Sequence, residues 1–231
     1  MHNELSPRHV VIVAGGKGLR MGGALPKQFM PIGGKPVLMR TIERFREYDE
    51  HIHIVLVLPT DQHDYWTELC REHHFSIPVT VVAGGATRFH SSQNGVAAIQ
   101  GSDDDLVAIH DGVRPFVSTD TIARCFDEAA RSGAALPVLP VTDTLRYVGG
   151  EGAGHNVQRA DYRVVQTPQT FKLGLLRRAF AQPYSDAFTD DASVVEAAGG
   201  TVVMVEGNRD NIKLTTPTDL QLADFILSTA K

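Results

Sequence analysis

The feature that most constrains this chain is a succession of short, almost unbroken apolar runs, at residues 10–14, 52–58, 106–110 and 134–139. Between them lie segments at 37–48, 61–73, 91–99 and 119–132 in which apolar residues return at helical spacing. A strand with one wetted face alternates apolar and polar residues, whereas a strand that is apolar throughout is covered on both faces. Strand and helix in regular alternation therefore predict an α/β fold built on a mainly parallel sheet. A further strand is expected at 79–83 and another at 201–205, with helices at 172–181 and 190–198 and a last helix opening at Pro217.

The pattern breaks once. Between Pro140 and Pro168 helical periodicity disappears, and Thr144-Leu145-Arg146-Tyr147-Val148 followed by Gly149-Gly150 and a later extended stretch reads as an inserted hairpin arm, residues 141–157. With 231 residues, 42% of them hydrophobic, and no linker-like tract, the chain is expected to fold as one domain, residues 1–231, carrying that arm. A chain of this size buries roughly 70–75% of its unfolded surface.

The strongest chemical signal follows the first apolar run: Val-Ala-Gly-Gly-Lys-Gly-Leu-Arg-Met-Gly-Gly-Ala-Leu-Pro-Lys-Gln-Phe, residues 13–29. Glycines let backbone N–H groups approach a phosphate, and Lys17, Arg20 and Lys27 supply positive charge. A P-loop would need Ser or Thr after its Gly-Lys, and a dinucleotide fingerprint would need glycine where Met21 stands. The bland alternative is a basic strand-to-helix turn.

A second cluster, Ile109-His110-Asp111-Gly112-Val113-Arg114-Pro115, closes an apolar strand, where open parallel sheets place their ligands. Asp111 is placed to hold Mg²⁺ against phosphate oxygens. The bland alternative is an Asp-Gly turn with Arg114 as the salt-bridge partner of Asp111. Thr144, Arg159, Thr167, Thr189 and Lys213 would suit a phosphorylated polyol, although Thr189, ahead of Asp190-Asp191, reads equally as a helix cap.

Other classes lack support. A net charge of −5 disfavours nucleic acid as a partner. No run approaches the ~20 apolar residues of a membrane helix, and the expected location is the cytoplasm. Cys70 and Cys125 form no metal-binding or redox motif, and there is no Gly-x-Ser-x-Gly elbow. The histidine pairs His51/His53 and His73/His74 have no carboxylate or cysteine at a zinc-ligand spacing and read as solvated surface or a cationic helix end.

Taken in order, these segments resemble the 2-C-methyl-D-erythritol 4-phosphate cytidylyltransferases of the non-mevalonate isoprenoid pathway. The likeness rests on the loop through Arg20 and Pro26-Lys27-Gln28, Gly84-Gly85-Ala86-Thr87-Arg88-Phe89-His90-Ser91-Ser92, the His110–Pro115 cluster, Asp143-Thr144, Gln166-Thr167-Pro168-Gln169, Thr189-Asp190-Asp191-Ala192-Ser193, and Glu206-Gly207 to Asn211-Ile212-Lys213. It implies a Rossmann-like nucleotidyltransferase fold of three layers and a homodimer joined through the arm. It also implies that CTP, carried with Mg²⁺ or another divalent cation, reacts with methylerythritol phosphate to release diphosphate. Carried over by position, Ala14, Gly15, Gly16, Gly85 and Ser91, with Gly112 beside the metal-binding Asp111, would surround the nucleotide. Arg20, Lys27 and Lys213 would act on the reacting phosphates. The second substrate would meet Arg114, Thr167, Thr189 and Lys213, with Thr144 and Arg159 arriving from a partner. Gly15 and Ala86 depart from the family's pattern, which moves base recognition towards the backbone. The related ribitol-5-phosphate cytidylyltransferases share the glycine loop and the Asp111–Pro115 pattern, and remain the alternative.

Overall fold

The computed structural model describes residues 6–15, 25–149, 152 and 154–229. Its first half runs β1 (Arg8–Val13), a small hairpin of β2 (Pro31–Ile32) and β3 (Lys35–Pro36), α1 (Val37–Tyr48), β4 (His53–Leu58), α2 (His63–Glu72), β5 (Thr80–Ala83) and α3 (Arg88–Ala97). Then come β6 (Leu106–Asp111), α4 (Thr119–Ser132), β7 (Ala134–Pro140), and the arm strands β8 (Arg146–Tyr147) and β9 (His155–Asn156). The chain ends with β10 (Arg163–Val165), β11 (Gln169–Lys172), α5 (Leu173–Ala179), α6 (Asp191–Ala197), β12 (Val203–Glu206) and α7 (Pro217–Thr229).

Eight strands make one sheet, ordered β10-β7-β11-β6-β1-β4-β5 with β12 also paired to β7. The pairs β5·β4, β4·β1, β1·β6 and β7·β12 are parallel, as the unbroken apolar runs require. Two strands run against them, because β11 lies antiparallel between β6 and β7 and β10 antiparallel along the end of β7. The sequence reading does not resolve either strand. Gln169 and Thr170 are polar yet buried, so β11 lacks the apolar signature of its neighbours, and only Phe171 marks it as core.

Alternate strand residues feed two cores. Val10, Ile12, Leu56 and Ala108 pack with Ile42 and Phe45 of α1, Trp66 of α2 and Phe126 of α4. Val11, Val55, Val57 and Ile109 face the other way, onto Val96 of α3, Leu176 of α5 and Val194 of α6. Helices on both faces of one sheet give the three expected layers. Local rules fix the ends of α4: the Ser118 hydroxyl accepts the Thr121 N–H, and Gly133, at φ 93°, takes the left-handed conformation that closes the helix. No described helix is long and apolar enough to cross a membrane.

The arm stands clear of these cores. Its two-residue ladder pairs Arg146 with Asn156 and Tyr147 with His155, and the side chains of Tyr147 and Val148 are exposed.

On the second core face, α3 approaches the sheet at Gly95, where a Cβ would lie 2.3 Å from Val11 Cγ1 and 2.9 Å from Val57 Cγ2. Alanine would gain up to about 1 kcal/mol in helix propensity but overpack a core of β-branched side chains, which costs about 1–3 kcal/mol. Gly95→Ala should therefore lower the denaturation midpoint with an unchanged m-value; a raised midpoint would show that the helix can back away at no cost.

Candidate active site

Strand β6 is buried along its whole length and delivers Asp111 to the C-terminal edge of the parallel strands, beside the end of β1. Gly112 allows the close approach, since a Cβ there would meet Ala14 Cβ at 2.8 Å, and its N–H donates to the Val13 carbonyl at 2.9 Å. Gly112 thus packs behind the cleft and does not line it.

Three cations converge on the Asp111 carboxylate. Lys213 Nζ is 2.9 Å and Arg114 Nε 3.1 Å from Oδ2, and Arg88 Nε is 3.7 Å from Oδ1. Burial opposes ionisation of this side chain, but Arg88, Lys213 and Arg114 together outweigh it and hold the carboxyl well below the usual carboxylate range. Arg88 also reaches the fully buried Asp191 in the first turn of α6, with Nη2 to Oδ2 at 2.6 Å. Arg114 Nη1 donates to the Asn211 carbonyl at 2.8 Å, which ties the segment carrying Lys213 to the end of β6.

Beneath Asp111 lies a second layer. The His110 ring is within 3.1 Å of the Arg114 carbonyl through Nε2, which must therefore carry the proton and leave Nδ1 as an acceptor. Thr167 Oγ1, 3.0 Å away, donates to Nδ1 and accepts the Asp111 N–H at 3.1 Å. Burial keeps His110 neutral by pushing its pKa down to about 4.

The cleft in front of Asp111 has a volume of about 260 Å³. Lys27, Arg88 and Lys213 line it with Asp111, so three cations face one carboxylate. Lys27 enters on a short turn whose next two residues, Gln28 and Phe29, are buried. The opposite wall is the loop before α3: Gly85 N–H donates to Ser91 Oγ at 3.1 Å, Ser91 Oγ donates to the Thr87 carbonyl at 3.0 Å, and Thr87 caps the helix through the His90 N–H. Any Cβ on Gly85 would collide with His90, 2.3 Å from its Cβ and 2.8 Å from its carbonyl carbon. Positive walls beside a helix N-terminus make a receptor for polyphosphate.

The sequence-predicted residues divide accordingly. Ala14, Gly15, Lys27, Gly85, Ser91, Asp111 and Lys213 share the cleft wall. Arg114 and Thr167 stand behind Asp111, and Arg114 is its ion-pair partner, as the bland reading of the Asp-Gly motif expects. Thr189 is exposed and precedes a capping box between Asp190 and Ser193, to which its own N–H also donates. Thr144 and Arg159 sit exposed on or beside the arm, where Arg159 Nη1 donates to the Thr142 carbonyl. Gly16 and Arg20 fall outside the described residues. Sequence reasoning gave no role to Arg88 or Asp191. Arg88 lies within a matching segment, but its partner is an acid in a distant helix, and nothing in either segment announces the pairing.

Among the described residues no three His, Cys, Asp or Glu side chains are grouped to hold a metal unaided. A single ionised carboxylate on a cleft lined by Lys27, Arg88 and Lys213 nevertheless fits Mg²⁺, which is commonly held by one or two carboxylates together with substrate phosphates.

Residues 8–229 match the family model described as 2-C-methyl-D-erythritol 4-phosphate cytidylyltransferase. The chain is 56% identical over 220 residues to the enzyme of that name from Phocaeicola vulgatus and 57% identical over 220 residues to that of Bacteroides fragilis; each alignment covers 95% of this chain and 99% of the relative. Among solved structures it is similar to 4-diphosphocytidyl-2C-methyl-D-erythritol synthase from Anaerococcus prevotii, with a TM-score of 0.81, 26% identity and 96% of both chains covered. The 2-C-methyl-D-erythritol 4-phosphate cytidylyltransferase from Thermus thermophilus gives a TM-score of 0.77 at 34% identity, covering 97% of this chain and 100% of that one.

The neutral His110 sets an acid limit. An unfolded histidine titrates near 6.5 and this one near 4, so between those values the unfolded chain binds the extra proton. Its contribution to stability is complete above about pH 6.5 and falls by up to about 1.4 kcal/mol per pH unit down to pH 4. Denaturant titrations across that window should show the slope, reduced in His110→Gln; an equal slope in the variant would remove His110 as its source.

Proposed function

The chain belongs to the 2-C-methyl-D-erythritol 4-phosphate cytidylyltransferase family, and from that premise we propose that it joins the CMP unit of CTP to 2-C-methyl-D-erythritol 4-phosphate, forming 4-diphosphocytidyl-2-C-methyl-D-erythritol and diphosphate. Relatives at 53–57% identity carry the methylerythritol name, which disfavours ribitol phosphate as the acceptor. The observation that carries the reading is the cation cluster around Asp111 on a cleft walled by Lys27 and the capped N-terminus of α3.

The reaction needs no general base. A phosphate monoester has its second pKa near 6, so at neutral pH an ionised oxygen is present to attack the α-phosphorus of CTP. As that O–P bond forms, the bond from the α-phosphorus to the bridging oxygen breaks, and the electron pair leaves with diphosphate. The protein's task is to hold the groups in line and neutralise the charge that builds on phosphorus and on the leaving group. Lys27 and Lys213, with Arg20, are assigned to that charge. Asp111 would hold Mg²⁺ or another divalent cation on the nucleotide's phosphates, where it supplies further neutralisation. Asp191 draws Arg88 aside, so that Oδ1 of Asp111 faces it at 3.7 Å rather than in a tight pair.

The base and ribose are assigned to Ala14, Gly15, Gly16, Gly85 and Ser91, where close backbone fits the small residues present. Arg114, Thr167, Thr189 and Lys213 are assigned to the methylerythritol phosphate side; Thr167 acts there through Asp111, since its hydroxyl proton is committed to His110. Thr144 and Arg159 do not line their own chain's cleft, and Tyr147 and Val148 beside them offer apolar surface to water. The assigned remedy for both is a homodimer in which each arm crosses to the other subunit's cleft. The location assigned to this reaction is the cytoplasm, since both substrates are charged.

Diphosphate release from CTP and Mg²⁺ should occur with methylerythritol phosphate and not with ribitol 5-phosphate. Lys27→Ala and Lys213→Ala should each lower kcat by about 10²–10³. Release with ribitol phosphate alone would transfer the reaction to that acceptor, and full activity in both variants would remove the charge assignment. Light scattering during size-exclusion chromatography should give twice the chain mass at assay concentration; a persistent monomer would overturn the crossed arms.

A further inference from the structure

The segment that carries Lys213, residues 207–214 between β12 and α7, is neither helix nor strand. A lysine ammonium rides on a flexible four-carbon stem, so on such a segment nothing in the backbone ladder fixes its place. Lys213 Nζ nevertheless stands 2.9 Å from Asp111 Oδ2. Its place has to come from whatever grips the loop.

Two buried amide side chains do so: Asn211 is 0% exposed and Gln166 4%. Asn211 Nδ2 donates to the Thr167 carbonyl at 2.8 Å. The Asn211 carbonyl accepts Arg114 Nη1 at 2.8 Å and Gln166 Nε2 at 3.1 Å. Gln166 Nε2 also donates to the Asn208 carbonyl at 3.0 Å, while the Gln166 N–H is held by the Pro137 carbonyl of β7 at 2.9 Å. Both amide nitrogens face carbonyl oxygens, so neither amide can turn over without setting oxygen against oxygen. Gly207 makes room for the brace, since a Cβ there would lie 2.3 Å from Gln166 Oε1.

These bonds converge on Asp111. Thr167 accepts its N–H, Arg114 pairs with its carboxylate, and Asn211 is bonded to both. Lys213 follows two residues later, and directly after it the buried Leu214 donates its N–H to the Val113 carbonyl at 2.9 Å. The lysine backbone is thus pinned on both sides. Neither Asn211 nor Gln166 lines the cleft.

We propose that Asn211, braced by Gln166, is a positioning residue for Lys213: it sets where the ammonium stands over the reacting phosphates without touching substrate. This rests on the cytidylyl reading and adds to it the side chains that hold one of its charges in place. Geometry of this kind matters because a misplacement of about 1 Å can cost about 10²-fold in rate.

The test measures diphosphate release and melting temperature for the wild type, Asn211→Leu, Gln166→Met and Lys213→Ala, and for each amide variant combined with Lys213→Ala. Gln166→Met keeps the side-chain length and carries the comparison should Asn211→Leu not fold. In the otherwise wild-type chain each amide variant should lower kcat about tenfold to a hundredfold and leave KM for CTP within about threefold. Beside Lys213→Ala the same changes should cost no more than about twofold, because the lysine they place is gone. Gly95→Ala, which strains the core away from the loop, should lower the melting temperature and keep kcat. Calorimetric binding of diphosphate makes the comparison without any acceptor: the affinity that Lys213→Ala loses should also be lost in Asn211→Leu. Equal losses of kcat in both backgrounds, wild-type kcat in both amide variants, or diphosphate affinity retained in Asn211→Leu would each overturn the positioning role. A wild type that releases no diphosphate with either polyol phosphate would count against the cytidylyl reading instead, and the diphosphate titration would then decide the positioning role alone.

Discussion

The architecture of the cleft depends on one ionised side chain at the end of a strand that is buried throughout. Asp111 would be costly there alone, since taking a carboxylate out of water costs several kcal/mol. It persists because Lys213, Arg114 and Arg88 reach it from three different parts of the chain. Two of those cations are tied elsewhere as well: Arg114 to the Asn211 carbonyl and Arg88 to Asp191. The carboxylate therefore gathers the loop after β6, the start of α3 and the segment before α7 at one point. What results is a cleft whose positive groups are already in place before a polyphosphate arrives, which is the condition for electrostatic catalysis without reorganisation.

The layer behind the carboxylate explains why histidine and threonine precede and face it. His110 offers one donor and one acceptor on a rigid ring, and uses them to fix the Arg114 carbonyl and the Thr167 hydroxyl. Thr167 then fixes the Asp111 N–H. The bond pattern needs neutral imidazole, and full burial supplies it. Thr167 thus does its work one step removed from the cleft.

Much of this was legible in the residues. Valines 10, 11 and 13 with Ile12, and the runs at 52–58 and 106–110, could only be buried strands, and the glycine loop and the Asp111–Arg114 spacing pointed to phosphate chemistry. The illegible parts share a physical cause, which is that their partners are distant in sequence. β11 is inserted between β6 and β7 with Gln169 and Thr170 buried, satisfied in part by contacts such as Gln169 Nε2 to Asp190. Arg88 reads as an ordinary first-turn residue until Asp191 is brought beside it. His53 reads as a surface histidine until the register of β1 and β4 sets it beside His9. Periodicity reports the side a residue faces; it carries nothing about which polar group waits there.

The central claim is that Asp111 would hold a divalent cation that neutralises the nucleotide's phosphates, alongside the cations of the cleft. Calorimetric titration of CTP into the wild type and into Asp111→Asn, each with and without Mg²⁺, tests it most directly. The wild type should bind CTP more tightly when Mg²⁺ is present; the variant should bind metal-free CTP at least as well as the wild type, since a negative charge has left the cleft, and should lose the gain from Mg²⁺. A gain from Mg²⁺ that survives in Asp111→Asn would contradict the account.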